Sequence, residues 1–169
     1  MLILGIDPGY ATVGFGIVRY TAPRFAAVKY GAILTPAKDP FEKRLETIYN
    51  SVVRLIDTYH PDALSIELLY CSNNAKTVIG VAEARGVILL AARQKGLPIY
   101  EYTPLQVKQA VTGYGQAIKA QVQEMTRRLL NLPAVPRPDD TADALALAIC
   151  HAQNSNRRQI LEVRTVSRQ

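Results

Sequence analysis

Apolar and polar positions along this chain fall into two periods, and together they predict a sheet flanked by helices. Leu2-Ile3-Leu4-Gly5-Ile6 is a short continuous apolar run, the pattern of a strand buried on both faces. Asp7-Pro8-Gly9 supplies turn chemistry after it. Residues 12–20 and 25–34 read as two further strands joined through 21–24 as a hairpin. From Phe41 to Tyr59 the apolar residues recur in steps of three and four, which predicts an amphipathic helix ended by His60-Pro61. Residues 63–66 form a fourth strand ending on Glu67. Residues 74–94 form a long helix, apolar nearly all round toward its end, and 97–102 a fifth strand. A short helix over 104–111, a loop at Gly113-Tyr114-Gly115, a helix over 117–130, a linker at 133–138 and a last helix over 140–153 complete the chain. Grouped strands followed by alternating strands and helices imply an α/β fold, a five-stranded mixed sheet flanked by helices.

Against this background the acidic residues stand out by position. Asp7 directly follows a buried strand, and Glu67 repeats the arrangement after Ala63-Leu64-Ser65-Ile66. Asp140 and Asp143, three apart, share one face of the last helix. Two carboxylates at strand ends and two on a helix face form a set able to converge on hard divalent cations, which take oxygen ligands and support phosphodiester hydrolysis. Each acid also has a plainer reading. Asp7 is a common turn residue, and Asp139 or Asp140 can cap the last helix. Asp139, four before Asp143, shares that face equally well. Asp143 is harder to explain structurally, because it interrupts the apolar stretch 142–149.

Composition adds limits. An apolar share of 49% over 169 residues suffices for one real core. The net charge of +6 is compatible with a polyanionic partner, but +3 of it sits in residues 155–169, so charge alone does not identify one. The sequence divides into a folded domain over 1–154 and a basic C-terminal tail over 155–169, whose order it leaves open. Cys71 and Cys150 make no disulfide scaffold, and Cys150 is expected to be a buried reduced thiol. Asp7 interrupts the opening apolar run too early for a signal peptide or membrane span, which predicts a cytoplasmic protein. His60 reads as a helix-end residue. His151 lies eleven residues beyond Asp140, about 16 Å along the helix and too far to join the acids.

Five blocks, in order, resemble the RuvC family of Holliday-junction resolvases, the crossover junction endodeoxyribonucleases. They are Gly5-Ile6-Asp7-Pro8-Gly9 with Gly14-Phe15-Gly16-Ile17; Ser65-Ile66-Glu67 followed by Asn74; Ala84-Arg85-Gly86-Val87; Gln106-Val107-Lys108-Gln109 with Gly113-Tyr114-Gly115 and Lys119-Ala120-Gln121-Val122; and Asp140-Thr141-Ala142-Asp143-Ala144-Leu145-Ala146. The resemblance spans residues 2 to about 152. It implies an RNase H-like fold, a homodimer and Mg²⁺ dependence (Mn²⁺ substituting, two ions per site). It also implies paired symmetric nicks across a four-way DNA junction in recombination and repair, leaving 5′-phosphate and 3′-hydroxyl ends. The metal-binding, catalytic carboxylates it implies are Asp7, Glu67, Asp140 and Asp143, which leaves Asp139 as a cap. It places Lys108 and Lys119 near the cleaved backbone, Gly113 and Gly115 where backbone approaches the strand, Tyr70 as a base-stacking aromatic, and Asn73 and Asn74 as polar DNA contacts. A branch-migration motor complex of the RuvA/RuvB type is the implied partner.

Two positions depart from the family pattern: Leu68, commonly a polar residue, and Tyr70, usually phenylalanine. Three other readings compete. One is an RNase H-like enzyme acting on RNA or duplex ends, and another a junction-binding module without catalysis. The third follows from Asp7-Pro8-Gly9 with Thr12, which is similar to the first phosphate loop of actin-like ATPases. Those proteins need a second domain, for which 169 residues leave no room.

Overall fold

The computed structural model describes residues 1–69 and 75–166, with the side chains of 75–77 and 156–166 left aside. Its strands are β1 (Leu2–Asp7), β2 (Thr12–Thr21), β3 (Arg24–Leu34), β4 (Ala63–Glu67) and β5 (Ile99–Tyr102). Its helices are α1 (Phe41–Tyr59), α2 (Ala75–Gln94), α3 (Pro104–Thr112), α4 (Lys119–Leu129) and α5 (Asp139–Val166). The five strands form one sheet in the order β3-β2-β1-β4-β5. β1–β2 and β2–β3 are antiparallel; β1–β4 and β4–β5 are parallel. The expected five-stranded mixed sheet is therefore present, with β1 and β4 at its centre.

Strand alternation divides the core in two. Leu4, Ile6, Leu64 and Ile66 pack with Ile48, Val52, Ala84 and Ile88 from α1 and α2. Ile3 and Val18 face the opposite way, against Leu145, Ala148 and Ile149 of α5 and residues from α3 and α4. Ile3, Leu4 and Ile6 are completely buried, each burial stabilising the fold by about 2 kcal/mol. By the same alternation Asp7 lies on the Ile3 side and Glu67 on the Ser65 side, which is the face α5 covers.

That face is bare beneath α5. In register, Gly5 stands opposite Gly16 and Asp7 opposite Gly14. A Cβ added at Gly5 would lie 2.0 Å from the Ala144 carbonyl oxygen, and one at Gly14 would lie 1.9 Å from that of Asp140. The backbone of α5 thus rests directly on the strands. The buried Ser65 hydroxyl donates to the Leu147 carbonyl at 2.7 Å, which sets the helix's position along β4.

The departures from the sequence reading have local causes. β5 begins at Ile99, because the Leu97 amide turns back to the Ala92 carbonyl (2.9 Å) and closes α2 through Gly96, at φ 69°. α4 begins at Lys119, because the Ile118 backbone is extended and its amide donates to the Gln121 side chain at 3.0 Å. α5 runs to Val166, past Gln153, since no glycine or proline follows to stop it. The backbone of the basic tail is therefore helical as far as Val166. His60 caps α1 in a left-handed conformation, its amide on the Ile56 carbonyl. Cys150 is buried as expected, while Cys71 lies outside the described residues. No helix among the described residues is long and apolar enough to cross a membrane.

The close contact between α5 and the sheet makes Gly14→Ala a severe change. It is expected to destabilise the protein by about 3 kcal/mol, read as a lower urea midpoint. An unchanged midpoint would show that α5 does not press on β2.

Candidate functional site

The parallel register Ile6↔Ile66 brings the ends of β1 and β4 side by side. Asp7 and Glu67 therefore project from adjacent strand ends onto one face. The first turns of α5 lie across them, carrying Asp140 and Asp143. The turn after Asp7 is held from α1: the buried Arg44 donates to the Tyr10 carbonyl at 3.0 Å and to Thr35 Oγ1 at 3.0 Å, while its guanidinium stacks over the Tyr10 ring. Rigid elements thus carry all four acids.

Electrostatics shows that these acids share one site. Burial, followed by the neighbouring charges of Asp143, Glu67 and Asp140, pushes the Asp7 carboxyl up to about 8, with Lys119 opposing. Burial and then Asp143 raise the Glu67 carboxyl, again against Lys119. The Asp143 carboxyl is raised chiefly by burial, although Lys119 binds it directly at 2.9 Å. Carboxylates desolvated together disfavour one another's ionisation.

The basic residues behave differently from one another. Lys119, exposed over 57% of its side chain, bridges Asp143 and Asp139, the latter at 3.5 Å. Lys108 lines the same cleft as Glu67, Lys119 and Asp143. An adjoining hollow is lined by Asp7, Pro8, Glu67 and Leu68, so the departure at Leu68 puts an apolar side chain at the rim of the site. Gly113 ends α3 at φ 76° with its amide on the Gln109 carbonyl, a conformation that favours glycine. Gly115 packs against Leu105, whose Cδ1 would lie 2.6 Å from an added Cβ. Tyr70, Asn73 and Asn74 lie outside the described residues.

Asp139 differs from its expected role as a cap. It occupies the first turn of α5 and pairs with Arg137 and Lys119, while the Pro138 carbonyl accepts from the Thr141 amide. Partial desolvation raises its carboxyl, but Lys119 and Arg137 bring it below the usual range. His151 is buried and bonds the Tyr102 hydroxyl through Nδ1 at 2.7 Å, consistent with its expected separation from the acids.

In this conformation no three acidic, histidine or cysteine side chains among the described residues converge closely enough to hold one ion. The donor chemistry nevertheless suits a hard divalent cation. All four groups are carboxylates, and the burial that raises Asp7, Glu67 and Asp143 opposes their ionised forms, which a bound cation would favour in place of protons.

Fold and site define the class as an RNase H-like α/β protein with a carboxylate centre where its two central parallel strands end. Residues 3–151 match the family described as crossover junction endodeoxyribonuclease RuvC. The chain belongs to the RuvC family. It is 54% identical over 157 residues to the crossover junction endodeoxyribonuclease RuvC of Ruminiclostridium cellulolyticum, covering 93% of this chain and 94% of that one. It is 55% identical to the Brevibacillus brevis protein of the same name, covering 90% and 92%. Among solved structures it is similar to T. thermophilus RuvC in complex with a Holliday junction substrate, with TM-score 0.86 and 35% identity over 90% of this chain and 93% of that one.

Sequence reasoning missed the ion pairs of Lys119 with Asp143 and Asp139, because nothing local predicts that α4 lies beside the start of α5. It also missed the part played by Gly5 and Gly14. Their signal was visible as glycines inside two neighbouring strands, a mark of close backbone approach.

The raised carboxyls give a pH dependence of definite sign. Between pH 3.8 and about 8 folded Asp7 holds its proton more tightly than the unfolded chain does. Its contribution to stability is therefore present at low pH and lost as pH rises through about 8. In EDTA, urea unfolding of the parent should lose more stability between pH 6 and pH 8.5 than that of Asp7→Asn. Equal losses would place Asp7 outside the coupled cluster.

Proposed function

We propose that this protein is a Holliday-junction resolvase, a structure-selective endonuclease that cuts four-way DNA junctions by paired symmetric nicks. The observation that carries the reading is the clustering of the Asp7, Glu67 and Asp143 carboxyls at one pair of strand ends, with the Asp140 charge acting on Asp7 and Asp143, in a chain of the RuvC family. Asp7, Glu67, Asp140 and Asp143 would hold the metal, with two ions per site. Mg²⁺, or Mn²⁺ in its place, supplies when bound an activated water and stabilisation of the leaving oxygen.

The chain's own residues do the rest. Lys108 and the exposed Lys119 flank the cleft and offer point charges to backbone phosphates, positioning the strand without reading its sequence. They also offset the repulsion that four carboxylates exert on DNA. Gly113 and Gly115 shape the loop beside this path, while Tyr70, Asn73 and Asn74 are proposed to contact the opened crossover. Water attack in this arrangement leaves 5′-phosphate and 3′-hydroxyl ends, which ligase can rejoin. The reading places the enzyme in the cytoplasm, in recombination and repair, working with a branch-migration motor of the RuvA/RuvB type. Residues 1–154 carry the nuclease domain, and the basic stretch 155–169 adds positive charge beyond it.

A homodimer follows from the same reading, because a two-fold pair of sites matches a two-fold junction. α2 supports it. Its solvent face carries Ile79, 63% exposed, and Leu90, 49% exposed, with Ala82, Glu83 and Gly86 between them. Such a face, apolar at both ends with small residues and one carboxylate between, fits a second copy of the same helix. Ile79→Lys combined with Leu90→Lys should shift sedimentation velocity from dimer to monomer and remove paired nicking. A double variant that still sediments as a dimer would put the interface elsewhere.

The deciding experiment is cleavage of a labelled four-way junction with Mg²⁺, beside EDTA and linear-duplex controls. Nicks confined to the junction, ligatable and symmetric, are the expected result. Asp7→Asn should lower the rate by about 10³-fold or more while junction affinity holds. Binding without nicks in either Mg²⁺ or Mn²⁺ would favour a junction-binding module and direct attention to Leu68. Cleavage of RNA or duplex ends instead would change the substrate assignment.

A further inference from the structure

β4 bonds its two neighbours alternately. The Leu64 amide donates to the Pro98 carbonyl at 2.8 Å and the Leu68 amide to the Tyr102 carbonyl at 2.9 Å, so the even-numbered residues face β5. The odd-numbered residues, Glu67 among them, therefore turn their peptide groups toward β1. In parallel register a carbonyl accepts from the residue one past its opposite position. Continuing Ile6↔Ile66 by one step sets Glu67 opposite Asp7, and the nitrogen due to serve its carbonyl is that of Pro8. Proline has no N–H. The ladder ends at the Glu67 carbonyl, on the residue whose side chain enters the acidic centre.

A donor comes from α2 instead. Arg85 Nε donates to the Glu67 carbonyl at 3.3 Å, and its Nη2 pairs with Glu101 of β5. The Arg85 side chain is only 15% exposed, and its planar fork spans β4 and β5 from the face opposite α5. We infer that Arg85 is a positioning residue for Glu67, replacing the backbone donor that Pro8 lacks and fixing the end of β4 at the height where Glu67 meets Asp7 and Asp143. It touches neither substrate nor metal and acts only through the Glu67 backbone. The inference rests on the metal-dependent nuclease reading of the acidic centre.

The test compares the full-length parent, Arg85→Met and the double variant Pro8→Ala/Arg85→Met. Mn²⁺ affinity is measured without DNA by electron paramagnetic resonance of the free ion. Single-turnover junction cleavage and junction affinity in EDTA are measured alongside. Arg85→Met should weaken Mn²⁺ binding and slow cleavage by about 10-fold each, with junction affinity unchanged. Adding Pro8→Ala supplies an N–H at the vacant ladder position and should recover most of both losses, an effect that general loosening of the fold would not produce. If Arg85→Met does not fold, Arg85→Lys carries the comparison, keeping the charge beside Glu101 but not the fork. A parent that binds Mn²⁺ and cuts junctions, beside an Arg85 variant equal to it or a loss that Pro8→Ala leaves untouched, overturns the role of Arg85. A parent that neither binds Mn²⁺ nor cuts overturns the reading of the centre itself.

Discussion

The direct seating of the α5 backbone on β1 and β2 is the constraint from which the site follows. Helices normally stand off a sheet by the length of their side chains. Here Gly5 and Gly14 remove that spacing, and the carbonyls of Ala144 and Asp140 occupy the space where a Cβ would be. The first turn of α5 therefore lies low enough for Asp140 and Asp143 to act on Asp7, and for Asp143 to act on Glu67. Ser65, bonded to the Leu147 carbonyl, holds the helix at that place along the sheet. Height comes from the glycines and axial position from a serine, and the carboxylates meet as a result.

Such a meeting opposes folding. Each carboxylate loses water, and each repels the others in a poorly screened space. Lys119 relieves part of the charge by reaching from the exposed start of α4 to Asp143. Asp7, farther from any cation, remains far above its ordinary value. The scaffold sustains this because the strain sits at the ends of fully buried strands, with apolar packing on both faces of β1. A centre held in this state gathers its carboxylates on one face of the sheet and is short of positive charge, the condition under which divalent cations and phosphate-binding lysines work best.

The supports beneath Asp7 and Glu67 differ in kind. Asp7 is held by the turn after it, with Tyr10 fastened to Arg44 and Thr35. Glu67 sits where the ladder loses its donor and an arginine from α2 takes over. Pro8 thus both turns the chain after Asp7 and creates the vacancy that Arg85 fills. The face proposed to pair two copies lies on α2 as well, on the same helix that carries Arg85.

Much of this was legible in the sequence, because strands, helices and turns announce themselves over a few residues. The apolar runs, the three-and-four spacing and the Pro and Gly signals located every element, and the acids at element ends stood out against them. Boundaries failed where backbone groups were used outside their own element, as when Leu97 turned back to close α2 and Ile118 bonded Gln121. α5 ran to Val166 because polar residues compatible with a helix leave no local mark of its end. Residue spacing alone left Asp139 and Asp140 equivalent. Their difference depends on Arg137 and Lys119 standing beside one of them, and Lys119 comes from another helix. The sequence by itself therefore determined the elements, their buried faces and the residue types available for chemistry, since each depends on near neighbours in the chain. Only the tertiary structure decided the depth of α5 on the sheet, the raised carboxyls of Asp7, Glu67 and Asp143 and the donor to the Glu67 carbonyl. Those depend on distances between residues far apart in the chain, and only the packed sheet and helices define such distances.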